Sequence, residues 1–138
     1  MNKIVKGISA GLVATIVLSL LMIMKAKMGL MPDLNVIKML ASKMGGALAM
    51  GWMAHVVIGL GYGVIFSLFS NNIPTSSPVS KGMILGVVGW LMMMLIIMPM
   101  MGAGLFAQNM GMKAPIMTLM LHLIFGAVLG FSFNKFNK

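Results

Sequence analysis

Two histidines are the residues of this chain whose side chains could do chemistry inside a long apolar segment. His55 and His122 each lie in a stretch that contains no lysine and no acid. Imidazole nitrogens ligate haem iron and copper, and an ionisable group inside an apolar span is by default a functional hypothesis. A histidine in such a place also often hydrogen-bonds a neighbouring helix. The residue type alone therefore leaves both roles open.

The two histidines share a spacing pattern with glycines. Each is followed by glycine four and eight positions later: Gly59 and Gly63 after His55, and Gly126 and Gly130 after His122. Residues four apart lie on one face of a helix, and glycines there let another helix approach closely. If the two faces look inward, the imidazoles form a symmetric pair that could hold haem b or copper, with the glycines leaving room beside it.

Methionine is unusually abundant, with 20 residues in 138. Thioether and imidazole ligands together suit Cu(I), so copper is a candidate cofactor besides haem. Methionine is also a flexible apolar filler of helix interfaces, and packing explains the same abundance. The methionines predicted to lie toward the histidine end of the bundle are Met24, Met92, Met93, Met94, Met98, Met100 and Met101.

Charge and cysteine usage exclude several classes of protein. Asp33 is the sole acid beside ten lysines, and the chain has no cysteine and no arginine. Paired carboxylates, a Ser-His-Asp set and thiolate chemistry are therefore absent, and we expect no enzymatic activity. The lysines stand at the ends of apolar runs, where they can snorkel to anionic headgroups. Nucleic acid is not an expected partner, because no basic stripe alternates with aromatic residues.

The elements that must position the histidines are four apolar runs, over 4–24, 47–69, 82–101 and 115–133. Each is long enough to cross a hydrocarbon core of about 30 Å. A segment in lipid must satisfy its backbone hydrogen bonds internally, so each is predicted to be a helix. The sequence thus predicts an all-α membrane protein, with 1–138 forming a single four-helix bundle in the lipid bilayer.

A fifth, shorter helix is predicted near 33–44, in the first connection. Asp33 is a suitable N-cap, and Gly45 can adopt the left-handed conformation that ends a helix. Apolar residues recur there at helical spacing beside Lys38 and Lys43. We expect an amphipathic helix that lies on the membrane surface.

The two halves of the chain resemble each other. Gly7 and Gly11 follow Lys6 in the first span, as Gly82 and Gly86 follow Lys81 in the third. Together with the two His-Gly-Gly patterns, these spacings predict two tandem helical hairpins in the same orientation, a parallel 2+2 repeat. The eight glycines are the predicted helix-packing residues.

Three short motifs carry a resemblance to a known kind of protein. They are Gly51-Trp52-Met53-Ala54-His55, Met98-Pro99-Met100-Met101-Gly102-Ala103-Gly104 and Leu121-His122-Leu123-Ile124-Phe125-Gly126. The chain resembles a family of small four-helix integral membrane proteins of bacteria and archaea without an assigned function. The resemblance implies a four-helix fold in a prokaryotic cytoplasmic membrane, with a histidine in the second and fourth helices. It implies no activity.

Three functional hypotheses follow, each from a different class. The first is a non-enzymatic subunit or scaffold that packs through glycine-rich faces against other membrane helices, in a homo-oligomer or a larger complex. The second is a haem b- or copper-binding protein that uses His55 and His122. The third is a small oligomeric pore or carrier. Lysines fall equally on the two sides of the membrane, so the positive-inside rule does not decide orientation. We prefer both termini inside, because Asp33 and the surface helix then share the outer face.

Overall fold

The computed structural model describes residues 2–31 and 34–138, and these residues fold into helices joined by short connections. The α-helices are α1 (Lys3–Lys27), α2 (Val36–Lys43), α3 (Leu48–Phe69), α4 (Pro78–Met92), α5 (Met98–Met100) and α6 (Lys113–Phe136). A π-helical turn at Met93–Ile97 joins α4 to α5, and short 3-10 segments lie after α3 at Ser70–Asn72 and after α5 at Leu105–Met110. The predicted all-α fold is confirmed.

Four helical segments are long and apolar enough to cross a membrane: Lys3–Lys27, Leu48–Asn72, Pro78–Met100 and Lys113–Phe136. They coincide with the four predicted spans. Most extend up to about a turn beyond the predicted limits, because lysines and small polar residues continue the helical backbone past the apolar run. The structure therefore supports a membrane protein with four spanning helices.

The four long helices pack as two hairpins. In the first hairpin α1 packs along α3, and in the second α4 packs along α6. Contact between α1 and α6 joins the hairpins, whereas the backbones of the diagonal pair α3 and α6 lie farther apart and the two helices meet through side chains. Ala10 and Ala14 of α1 are fully buried there beside Leu129 of α6. Small side chains on α1 thus let the two hairpins approach.

An aromatic group fills the space between α3, α4 and α6. The Tyr62 ring meets the Phe125 ring edge to face, with centroids 5.3 Å apart. The hydroxyl end of Tyr62 lies over Gly89 of α4, where an added Cβ would collide with it. Phe66 and Phe133 form a second edge-to-face pair at 5.2 Å. These rings supply the apolar core between the hairpins.

The third span changes its helical pitch before Pro99. Proline has no N–H, and its ring crowds the carbonyl four residues earlier. A π-helical turn forms here in place of a regular α-helical turn, and in it the Met98 N–H donates to the carbonyl of Met93. Met94 and Met98 belong to a second core cluster. Its other buried members are Leu34, two alanines of the third connection (Ala103 and Ala107) and Ala114 at the start of α6.

The third connection folds back onto the bundle in a strained conformation. Phe106 and Ala107 both have φ of 52°, the left-handed region that non-glycine residues rarely adopt. Burial of Ala107 and contact of the Phe106 ring with Trp90, at 5.8 Å between centroids, hold this conformation. The glycine-rich connection is thus an ordered part of the protein.

The short helix of the first connection forms, with a different cap at its start. Asn35 caps α2, its side chain accepting the Lys38 N–H at 3.0 Å. The predicted cap, Asp33, lies outside the described residues. At the other end Gly45 has φ of 100°, as expected, and the Gly46 N–H donates to the Ala41 carbonyl at 2.7 Å.

The buried face of α2 packs on protein. Ile37 and Ala41 face α3 at Gly51, where an added Cβ would strike the Ile37 carbonyl. Leu34, just before α2, enters the second core cluster. The apolar side of this amphipathic helix is therefore used for contact with α3.

Candidate functional site

The glycines of the first hairpin bring the backbones of α1 and α3 together. A Cβ at Gly7 would collide with the Gly63 carbonyl, and one at Gly63 would collide with the Gly7 carbonyl. One turn further, Gly11 meets the Gly59 carbonyl, and Gly59 lies against the Thr15 hydroxyl. These contacts leave no room for side chains on the facing surfaces.

The second hairpin makes the same kind of contact with a different register. Gly82 of α4 meets the Gly126 carbonyl, and Gly86 meets the carbonyl of His122. Gly130 meets the carbonyl of Pro78. By sequence correspondence Gly82 would face Gly130 as Gly7 faces Gly63, so the second hairpin is shifted by one helical turn. All eight glycines singled out in the sequence thus contact another helix of the same chain.

His55 is buried beside α1. Its Nε2 lies 3.3 Å from the Ser19 hydroxyl oxygen, and that hydroxyl donates to the Thr15 carbonyl at 2.7 Å. Since the serine proton is used at the carbonyl, neutral His55 carries its proton on Nε2 and donates to Ser19. The Trp52 ring stands edge-on to the imidazole, with centroids 6.0 Å apart.

His122 belongs to a separate hydrogen-bonded group in the second hairpin. Its Nδ1 lies 2.8 Å from the Thr118 carbonyl, which can only accept, so Nδ1 carries the proton. The Thr118 hydroxyl donates to the Ala114 carbonyl at 2.8 Å and receives the Trp90 indole N–H at 3.1 Å. Trp90 also donates to the carbonyl of Pro115 at 3.1 Å.

The two histidines are thus oriented by different hairpins and in opposite tautomers. The lone pair is on Nδ1 in His55 and on Nε2 in His122. Fixing one ring nitrogen by a carbonyl or hydroxyl is how proteins orient imidazole ligands, and it is equally a purely structural arrangement. Among the described residues, no group of three or more His, Cys, Asp or Glu side chains could hold a metal ion.

Lys25 has a role that its position at the end of an apolar run does not suggest. Its ammonium donates to three carbonyls of the first connection, those of Leu30, Met31 and Leu34, at 3.1, 3.0 and 2.8 Å. The side chain is only 8% exposed. The expectation that this lysine snorkels to lipid headgroups is wrong, because carbonyls of the irregular backbone after α1 surround its ammonium.

These observations define a four-helix unit with one histidine in α3 and one in α6, and a family comparison covers all of it. A model described as a family of unknown function, DUF6789, matches residues 1–138. The chain belongs to DUF6789. No curated protein and no solved structure matches the chain. Membership of DUF6789 agrees with the resemblance to a family without an assigned function, and it leaves function to be argued from the site.

Lys25, Trp90 and Tyr62 are the residues that sequence reasoning missed. Trp90 and Thr118 lie on different helices, so no local spacing links them. Tyr62 follows His55 by seven positions, a spacing of two helical turns, which placed it near the histidine face without indicating its contact with Gly89. For Lys25 the available signal was the long first connection, whose backbone carbonyls need donors.

Proposed function

We propose that this DUF6789 protein is a non-enzymatic membrane subunit or scaffold. The observation that carries the proposal is the hydrogen bonding of its buried polar side chains. Among the described residues, every buried side-chain nitrogen and oxygen has a hydrogen-bond partner within the chain. Some of these bonds return to the same helix, as for Thr118, and others link two helices, as for Ser19 with His55, so the buried polar side chains have structural partners.

The glycine contacts support the same proposal. Backbone-to-backbone packing at Gly7–Gly63 and Gly82–Gly126 makes each hairpin a compact unit with little freedom to slide. Because these faces are occupied within the chain, a partner helix would pack on the outer surfaces instead. Large apolar side chains such as Leu20, Val57 and Ile116 are more than half exposed there.

The proposal includes a parallel 2+2 repeat within one transmembrane unit that spans 1–138. Equivalent glycine spacings in the two halves and the packing of α1 with α3 and α4 with α6 support it. Because the register differs by one helical turn, equivalent glycines of the two halves face different partners. We place the unit in a prokaryotic cytoplasmic membrane with both termini inside.

The principal alternative is binding of haem b or copper by His55 and His122. The oriented rings favour it, since each imidazole keeps one nitrogen that its hydrogen bond does not use. The aromatic rings packed between α3 and α6 and the two separate hydrogen-bonded groups favour the structural role. A pore or carrier has less support, because the spans carry no acid to bind or relay a cation.

The test is the composition of the protein extracted with its native membrane in polymer nanodiscs. We expect a discrete assembly, of copies or of this chain with a stoichiometric partner, without haem absorption and without stoichiometric copper or iron. A monomer of 14.7 kDa would contradict the scaffold proposal. A Soret band or bound copper that disappears in His55→Ala/His122→Ala would establish the alternative. Solute flux in proteoliposomes would establish the pore or carrier hypothesis.

A further inference from the structure

An amphipathic cavity of about 340 Å³ lies at the end of the bundle where α1 ends and α3 begins, with α2 beside it. Ile23 of α1 and Leu48 and Trp52 of α3 contribute apolar surface. Lys25 and Lys38 contribute the charge. The volume is within the usual range for small-molecule sites of roughly 300–1,000 Å³.

The lining residues lie near the ends of α1 and α3, which corresponds to the headgroup level when these helices span the bilayer. Ile23 is in the last two turns of α1, which ends at Lys27, and Leu48 is the first residue of α3. At 1.5 Å per residue, these positions are within about 8 Å of the helix ends. Trp52 lies at the same level, where amphipathic rings are favoured at membrane interfaces.

The charges at the cavity favour an anion. All three N–H groups of the Lys25 ammonium are engaged by carbonyls, so Lys25 supplies a fixed positive charge without a donor to spare. The Lys38 side chain is exposed at the rim of the cavity. The last turn of α1 and the connection from α1 to α3 together carry four lysines, Lys25, Lys27, Lys38 and Lys43, against the single acid Asp33.

We infer that this cavity binds one anionic phospholipid of the surrounding bilayer, its phosphate near Lys38 and an acyl chain along Ile23 and Leu48. A soluble anion would leave the apolar wall in water, and a neutral lipid would leave the two lysine charges without a counter-charge. A lipid with an anionic head matches both parts of the site. This inference is independent of the proposed scaffold role.

Tryptophan fluorescence tests the inference, because the chain has only two tryptophans. In Trp90→Phe the remaining indole, Trp52, lies at the cavity, and in Trp52→Phe the remaining indole, Trp90, lies between α4 and α6. Each variant is placed in phosphatidylcholine vesicles that contain phosphatidylglycerol, with bromine on the acyl chains of one lipid or the other. We expect brominated phosphatidylglycerol to quench Trp52 more strongly than brominated phosphatidylcholine does. The ratio of the two quenching effects should be larger at Trp52 than at Trp90.

Two pairs of substitutions, each with a matched control, test whether the preference for phosphatidylglycerol arises at the cavity. Lys38→Ala should lower the preference for phosphatidylglycerol about fivefold, the change expected for one lysine at a membrane surface, whereas Lys43→Ala on the same helix should leave it unchanged. Ala26→Phe fills the cavity without changing charge and should also abolish the preference. Met24→Phe, two residues away and outside the cavity lining, should not.

Equal losses from Lys38→Ala and Lys43→Ala would overturn the inference in favour of diffuse attraction. Loss of the preference on addition of inorganic phosphate would overturn it in favour of a free anion. Native mass spectrometry of the unsubstituted chain with mixed phosphatidylglycerol and phosphatidylcholine provides a second measurement that needs no tryptophan substitution. One retained phosphatidylglycerol supports the site, and equal retention of the two lipids contradicts it.

Discussion

A lysine at the end of a spanning helix can extend its ammonium into the headgroups or turn it back onto the protein. In Lys25 the second arrangement prevails, because three carbonyls of the first connection converge on Nζ at 2.8–3.1 Å. Lys27, two residues later, is exposed. The two lysines are identical in type and near-identical in sequence position. They point to nearly opposite sides of α1, and the path of the following backbone, which cannot be deduced from spacing, brings the carbonyls to the side of Lys25.

Replacing Lys25 should therefore lower the free energy of unfolding more than replacing Lys27. Lys25→Met keeps an apolar stem of similar length but removes three charge-assisted hydrogen bonds, and we expect a loss of about 2 kcal/mol in the free energy of unfolding. Lys27→Met is the matched control and should change it by less than about 0.5 kcal/mol. Unfolding of both variants in mixed micelles measures the difference. Equal effects would mean that the carbonyl contacts add nothing to stability.

The histidines show a similar limit at the residue scale. Their depth within apolar segments identified them as the groups to examine, and the glycine spacing placed each on a packed face. The hydrogen bonds to Ser19 and to the Thr118 carbonyl depend on which residues of the neighbouring and preceding turns lie within reach. The sequence indicated only that a histidine in a span often hydrogen-bonds a neighbouring helix, which names no partner. Tautomers follow from those partners and could not be assigned earlier.

At the scale of helices, close approach depends on which glycines face a neighbour. Gly63 faces the backbone of Gly7, whereas Gly61, on the same helix, has no atom within 4 Å of an added Cβ. The two positions therefore separate the effect of packing from the effect of glycine on the helix itself.

Gly63→Ala should destabilise the protein, and Gly61→Ala should not. An added methyl at Gly63 forces α1 and α3 apart, at an expected cost of about 1–3 kcal/mol. At Gly61 alanine should leave stability unchanged or raise it by up to about 1 kcal/mol, since it is the better helix former. Unfolding in mixed micelles measures both. Comparable losses at the two positions would show that the contact between α1 and α3 does not determine stability.

Helix boundaries show where sequence reasoning succeeded and where it could not. The four spans were recognisable because only lipid accommodates apolar runs of that length, and the short α2 because its termination at Gly45 has a local cause. Asp33 and Asn35 are equally good cap residues two positions apart, so propensity could not choose between them. The return of the third connection onto Trp90 depends on tertiary contacts and has no local signature.

For the whole molecule, the arrangement of helices was predicted more closely than their register. The helices joined by the longer first and third connections pack together, as the pairs α1–α3 and α4–α6, whereas α3 and α4, which the short connection 73–77 joins, do not pack along each other. Glycine spacing alone allows Gly82 to face Gly126 or Gly130, because both lie on the same face of α6 one turn apart. The structure places Gly82 against the carbonyl of Gly126.

Membrane topology is the property on which the account most directly depends, and the absence of cysteine makes it simple to measure. Single cysteines at Ser42, Ser76, Gln108 and Lys138 place one exposed thiol in each connection and at the end of the chain. With an impermeant maleimide, four spans predict that Ser76→Cys and Lys138→Cys react from one side of the membrane, and Ser42→Cys and Gln108→Cys from the other. Labelling of two consecutive positions from the same side would contradict the four-span structure.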